Sequence, residues 1–240
     1  MRRLVIIPTY NERENVSRMI DKVLSLGIFD VLFVDDGSPD GTAAIIEERI
    51  PTCEGRIHIL KRSGKLGLGS AYIAGFKWAL EHGYDLIFEM DCDFSHNPDD
   101  LLRLSRRLEN DADVAVGSRY VKGVNVVNWP LGRLLMSYFA SVYVRLVTRM
   151  PVCDATAGFV GYRADVLRGI ELDGVRMVGY GFQIEMKYTA WRLGYRIIEE
   201  SIIFIDREEG TSKMSSGIFG EAFFGVLKLP FRKIRAAQNR

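Results

Sequence analysis

The sequence predicts an α/β fold: an open, mostly parallel sheet covered by helices on both faces, with amphipathic helical segments towards the C-terminus. Three observations carry that expectation. Short apolar runs alternate with amphipathic stretches through the first half of the chain, as βαβ units require. Polar or acidic loops follow three of those runs, at the strand ends where open sheets bind ligands. A chain of 240 residues with 48% hydrophobic content can bury one sizeable core.

The elements follow in order. Leu4-Val5-Ile6-Ile7 reads as a buried parallel strand ending at Pro8. Val16, Met19, Ile20, Val23 and Leu24 then recur at helical spacing. Residues 31–34 form the second strand, closed by Asp35-Asp36-Gly37-Ser38-Pro39. Residues 42–50 read as helix, 57–60 as strand and 69–82 as a longer helix. The strand at 86–90 runs into Asp91-Cys92-Asp93, Pro98 opens another helix in its first turn, and 114–116 is the next strand. Beyond residue 118 the alternation stops. The loops at 8–12, 35–38 and 91–95 therefore converge on one crevice.

Composition excludes several classes. Thirty-two basic against thirty-one acidic residues give a net charge of +1, which points to no nucleic-acid partner. Three scattered cysteines make neither a disulfide framework nor a zinc knuckle and suit a reducing compartment. The N-terminus lacks the pattern of a signal peptide. The most apolar window, 134–144, is too short for a membrane span and is bounded by Arg133 and Arg145. Local charge is more informative. From Val114 through Cys153 there is no Asp or Glu, yet Arg119, Lys122, Arg133, Arg145 and Arg149 remain, so an anionic ligand or anionic lipid is expected on that side.

The motifs narrow the chemistry. The turn after the first strand, Pro8-Thr9-Tyr10-Asn11-Glu12, is not a dinucleotide fingerprint. The segment Gly64-Lys65-Leu66-Gly67-Leu68-Gly69 is no Walker loop, but it lets backbone approach an anion at a helix start. The histidines have no metal or triad spacing, and no nucleophile elbow is present. Two D-x-D pairs occur, and only their context separates them. Asp91 and Asp93 follow an apolar strand into the crevice, whereas Asp111 and Asp113 precede a strand at the opposite end. A carboxylate pair facing a ligand crevice suits Mg²⁺ or Mn²⁺, whose other positions take phosphate oxygens and water.

Taken together, the motifs at 7–12, 34–42, 67–72 and 91–96, followed by Gly117-Ser118-Arg119-Tyr120, Trp129 with Arg133, Asp154-Ala155-Thr156-Ala157-Gly158-Phe159, residues 181–185 and residues 207–213, resemble the inverting GT-A glycosyltransferases of family 2. Within that family they resemble the polyprenyl (dolichyl) phosphate mannosyltransferases, over about residues 3–216. The resemblance implies a GT-A catalytic unit over residues 1–214, an acceptor- and membrane-facing insertion at 119–150 and a basic amphipathic segment at 215–240. It implies transfer of mannose from GDP-mannose to a polyprenyl or dolichyl monophosphate.

In that scheme Pro8, Tyr10, Glu12 and Asp35 or Asp36 hold the nucleoside, and Lys65, Arg207 and Lys213 complete the donor site. Asp91, Asp93 and Ser95 hold the metal, with Asp93 central to catalysis. Arg119 and Arg133 hold the lipid phosphate, and the segment from Arg207 to Lys213 forms a lid. The Q-x-x-R-W motif of processive relatives is missing after Gln183, which implies a single transfer. No membrane span follows at the C-terminus. Attachment to the cytoplasmic face of a membrane is expected from Phe219, Phe223, Val226 and Leu227 beside the basic tail, or from a membrane-spanning partner protein. A glucosyl or other sugar donor, and a catalytically inactive membrane-recruiting protein, are the alternatives.

Overall fold

A computed structural model describes residues 1–177, 179–206, 223–234 and 236–237 of the chain. Its central sheet begins with β1 (Arg3–Thr9), whose side chains alternate between two cores. Leu4 and Ile6 join one cluster, while Val5 and Ile7 join the other on the opposite face. A strand buried on both sides must be apolar at every position, which explains the unbroken run. Helix α1 (Arg13–Ser25) then packs Val16, Met19, Ile20 and Val23 onto the second of these faces. β2 (Asp30–Asp35), α2 (Thr42–Arg49), β3 (Ile57–Lys61), α3 (Leu68–Glu81) and β4 (Leu86–Glu89) continue the alternation. α4 (Asp100–Asn110) and β5 (Val114–Ser118) close the first half.

Element ends differ from the sequence reading by one or two residues, and prolines stand at two of the differences. Ile50 leaves α2 for a short 3₁₀ turn, with Pro51 inside it. Pro98 stands ahead of α4, where its carbonyl accepts the Leu101 N–H at 3.1 Å.

The second half adds β6 (Val126–Val127), α5 (Leu131–Thr148), β7 (Val160–Arg163), α6 (Ala164–Gly169), α7 (Tyr180–Arg192), β8 (Ile197–Ser201) and β9 (Phe204–Ile205). The sheet order is β3-β2-β1-β4-β7-β5-β8, and β6 pairs with β9 in a separate small ribbon. All pairings in the large sheet are parallel except those of β7, which runs antiparallel to both β4 and β5. Residues 223–228 are helical and dock through Val226 against Val144, Ile184 and Tyr188. The apolar stripe expected along the tail is therefore divided: Val226 is buried, Phe223 and Leu227 remain exposed, and Phe219 lies outside the described residues.

Close packing restricts α3 to glycine where it crosses β1. A Cβ on Gly75 would lie 2.7 Å from Ile6 Cγ2. Gly75→Ala is expected to lower stability by about 1–3 kcal/mol in urea unfolding, because the added methyl overfills a packed core. Gly132→Ala is the control: nothing lies within 4 Å of its Cβ, so stability should hold or rise slightly.

Candidate active site

The carboxyl ends of β1, β2 and β4 do open onto one crevice, because these three strands run parallel and adjacent. At the end of β2, Asp35 is buried and shapes its own loop. It accepts from Thr9 Oγ1 at 3.0 Å, Ser38 Oγ at 2.6 Å and Ser38 N at 3.0 Å. Asp36 is clamped by Arg62, with Nε to Oδ1 at 2.6 Å and Nη2 to Oδ2 at 2.8 Å. The same guanidinium donates to Ser70 Oγ at 2.8 Å and to the Gly67 carbonyl at 3.3 Å. Arg62 therefore ties the Asp36 loop to the glycine-rich entry of α3. Sequence reasoning missed Arg62 because no local motif marks it; it sits just beyond β3, the neighbour of β2.

Around the first strand, Asn11 adopts a left-handed φ of 58°, which turns the chain so that Glu12 can open α1. Glu12 N donates to Thr42 Oγ1 at 3.0 Å, and Glu12 Oε2 accepts from Asn15 at 3.0 Å. Lys65 Nζ lies 5.2 Å from the Tyr10 ring centre, so the glycine loop meets the loop after β1, which begins at the Pro8-Thr9 end of that strand. Pro8, Tyr10, Glu12, Asp35, Asp36 and Lys65 are thus brought to one edge of the crevice.

The acidic loop forms the centre. Cys92 points into the core, so Asp91 and Asp93, two residues apart, flank it. The Asp91 side chain is 41% exposed and lines the cavity. Asp93 Oδ1 accepts Ser95 N at 3.1 Å, while Ser95 Oγ is buried without a hydrogen-bond partner. Phe94 between them holds φ at 58°, an unfavourable conformation for an aromatic residue. The strained turn presents two carboxylates and one orphan hydroxyl as oxygen donors, a set that fits a hard divalent cation. Among the described residues no group of three or more His, Cys, Asp or Glu is placed to hold a metal, so substrate oxygens would have to complete the shell. His96 is buried against Phe159, and burial pushes its pKa down to about 4, opposed by the charge of Asp93. The ring is therefore neutral and adds no positive charge to the site.

The expected acceptor arginines are not bare cations. Arg119 is buried, with Nε 2.7 Å from Asp154 Oδ2, Nη2 2.6 Å from Oδ1 and its backbone N 2.9 Å from Oδ2. Nη2 also donates to Thr156 Oγ1 at 2.9 Å. Burial alone would raise the Asp154 pKa, but Arg119 outweighs it and holds the carboxylate ionised. Arg133 stacks 4.2 Å from the Trp129 ring centre and pairs with Asp206 through Nη1 at 2.8 and 2.9 Å. The stretch 114–153 is free of acids in sequence but not in space, because the fold brings Asp154 from its edge and Asp206 from much further along the chain. Arg207 and Lys213, with the expected lid, lie outside the described residues.

Asp111 and Asp113 sit at the other end of the sheet. Asp113 Oδ2 accepts Arg196 N at 2.8 Å and Asp111 pairs with Arg107 at 3.2 Å, both structural roles.

Above the acidic loop lies a cavity of about 690 Å³. Its polar end holds Asp91, Ser95, Arg119 and Arg133, and its apolar walls come from α5 and the helical segment 223–228. A crevice at parallel strand ends, an acidic pair on a strained loop and a glycine-rich helix entry define a GT-A glycosyltransferase, an enzyme that uses an activated sugar. The family model for glycosyl transferase family 2 matches residues 4–170, and the chain belongs to that family. It is 47% identical over 229 residues to an undecaprenyl-phosphate mannosyltransferase of Micrococcus luteus, covering 95% of this chain and 93% of that protein. It is 45% identical over 232 residues to a polyprenol monophosphomannose synthase of Mycolicibacterium smegmatis, covering 96% and 88%. Among solved structures it resembles glucosyl-3-phosphoglycerate synthase from Mycobacterium tuberculosis, with a TM-score of 0.71 at 16% identity over 96% of this chain and 80% of that one. The last likeness concerns the fold.

Three substitutions test the site. Asp93→Ala should abolish glycosyl transfer while Asp111→Ala keeps wild-type turnover; equal losses in two folded proteins would show that the pairs had been assigned to the wrong ends of the sheet. Asp154→Ala should cost about 3–5 kcal/mol of stability, since it strands a buried guanidinium, and thermal or chemical unfolding reads this directly.

Proposed function

We propose that this chain transfers one mannosyl residue from GDP-mannose to a polyprenyl or dolichyl monophosphate, with inversion at the sugar carbon. One observation carries the reading: a single cavity runs from the acidic loop past Arg119 and Arg133 to the apolar side chains Phe139, Val144, Phe223 and Val226. A phosphate on an apolar tail matches both ends of that cavity. The names of the bacterial relatives support the same donor sugar and acceptor class.

The residues divide the work. The loops at the ends of β1 and β2, with Lys65, grip the nucleoside and diphosphate of the donor. Asp91, Asp93 and Ser95 would hold a divalent cation, Mg²⁺ or Mn²⁺, which when bound neutralises charge on the departing diphosphate. A lipid phosphate with a second pKa of about 6 is largely dianionic at neutral pH, so its oxygen can attack the sugar carbon without a base. The new bond to phosphate oxygen forms as the bond to the nucleoside diphosphate breaks. What the protein must supply is positive charge between two anions. Arg133 is suited to this: it is partly exposed, and a phosphate can compete with Asp206 for its fork. Arg119 is fixed by Asp154 and shapes the wall of the same cavity.

The acceptor's membrane explains α5. Its buried positions are Ser141, Val144 and Thr148, while Leu131, Leu135, Phe139 and Leu146 face outwards, the last two 60% and 75% exposed. An ordinary surface helix has the reverse polarity. Beside it Phe224 and Phe231 are also exposed. We read this exposed apolar face as lying in the interface on the cytoplasmic side of a membrane; among the described residues no helix is long and apolar enough to cross one.

Two measurements test the proposal. Transfer to polyprenyl phosphate should require Mg²⁺ or Mn²⁺ and prefer GDP-mannose over GDP-glucose and UDP-glucose; preference for a glucosyl donor would overturn the mannosyl reading. Anionic vesicles should sediment the isolated chain, and Leu135→Glu with Phe139→Glu should release it. Failure of the wild type to bind vesicles would move attachment to a membrane-spanning partner protein.

A further inference from the structure

Beneath the cavity lies a chain of buried polar groups to which the proposed transfer assigns no role. Glu89 ends β4, two residues before Asp91, and is fully buried. Gln183 and Lys187, one turn apart on α7, are buried as well. Gln183 Nε2 donates to Glu89 Oε2 at 2.8 Å, while Glu89 Oε1 has no partner. Lys187 Nζ donates to the Ala157 carbonyl at 2.7 Å, the Gln183 carbonyl at 3.1 Å and Gln183 Oε1 at 3.3 Å. Burial pushes Glu89 up to about 8 and Lys187 down to about 8, and each charge opposes the other's neutralisation.

A buried carboxyl group and a buried amine bridged by an amide are a poor device for stability, since well-packed apolar side chains usually serve as well. Their placement offers another use. β4 carries the acidic loop, and residues 154–157 carry Asp154 and Thr156, the two partners of Arg119. The Glu89–Gln183–Lys187 chain joins these two segments through α7, which itself lines the cavity with Gln183 and Ile184. Lys187 also feels the carboxylates at both ends, Glu89 and Asp154.

We propose that Glu89 and Lys187, bridged by Gln183, are positioning residues that hold the acidic donor loop and the Asp154–Arg119 acceptor wall at one fixed separation. In-line displacement depends on that separation, because small misplacements of reacting groups cost large factors in rate. Residues acting as one unit should also fail as one unit.

A double-mutant cycle tests this. Glu89→Gln and Lys187→Met should each lower kcat at least tenfold, with KM for polyprenyl phosphate within threefold of wild type. The double variant should lose no more than the worse single, since the link is already broken. The folded fraction is measured by thermal melting in every case. Kinetics like wild type in a folded single variant, or losses that multiply in the double, would overturn the proposal. If Lys187→Met does not fold, the near-isosteric Glu89→Gln carries the test alone.

The inference rests on the proposed transfer, so a second readout is kept independent of it. Calorimetric affinity for GDP with Mn²⁺ should weaken threefold or more in Glu89→Gln, and unchanged affinity would overturn the positioning role. A wild type that binds GDP but transfers nothing to any lipid phosphate would overturn the reaction instead.

Discussion

The site depends on the direction of one strand. β7 enters the sheet antiparallel between β4 and β5, with Val160 opposite Glu89 on one side and Val116 on the other. An antiparallel strand starts where its parallel neighbours end, so its lead-in segment, residues 154–159, must lie at their carboxyl ends. That is how Asp154 comes to meet Arg119 at the exit of β5 and how Gly158 reaches the cavity beside Asp91. Had β7 run parallel, its lead-in would fall at the far end with Asp111 and Asp113. Close contact enforces the arrangement: a Cβ on Gly161 would lie 2.7 Å from Phe88 Cε1, so β7 accepts glycine where it presses on β4.

Electrostatics follow from this geometry. Buried cations need carboxylates, and those available come from the segments that the fold returns to the site. Asp154 takes a deeply buried arginine, and Asp206 takes one that is about a quarter exposed. The two pairs differ in exchangeability. Separating Asp154 from Arg119 would strand two charges in a low-dielectric interior, whereas Asp206 can turn to water when another anion claims Arg133.

Much of the first half was legible in sequence because its strands are buried on both faces and its helices on one. Leu4 to Ile7 and the Val16–Met19–Ile20–Val23 stripe fall where periodicity placed them. Strand direction alone placed the acidic pair after β4 and the pair before β5 at opposite ends of the sheet, as the structure has them. The second half was less legible for two physical reasons. β7 is four residues long and contains Gly and Arg, so no apolar run announces it. The carboxylate partners of Arg62, Arg119 and Arg133 lie 26 to 73 residues away, a range over which local pattern carries no information. The acid-free stretch described the chain and not the space around it, where Asp154 and Asp206 sit.

Under the proposed function, the exposed apolar side chains of α5 bear on how this body would meet an acceptor held in a bilayer. Burying Thr148 costs little, because its Oγ1 donates to the Val144 carbonyl at 2.7 Å within the helix itself, whereas the buried Ser141 Oγ has no hydrogen-bond partner. Their small size lets α5 sit close to the body, which leaves Leu131, Leu135, Phe139 and Leu146 on its exposed side. Arg133 lies near the N-terminal end of that helix and Arg145 near its C-terminal end, so neither charge interrupts the apolar face between them. Arg133 alone also lines the cavity, on the Trp129 ring. A helix lying in the interface with that edge over the cavity mouth would bring a lipid headgroup to Arg133 while its tail stays among apolar side chains. The phosphate then needs to travel only from the membrane surface to a guanidinium already oriented by Asp206, and the acidic loop waits at the other end of the same cavity.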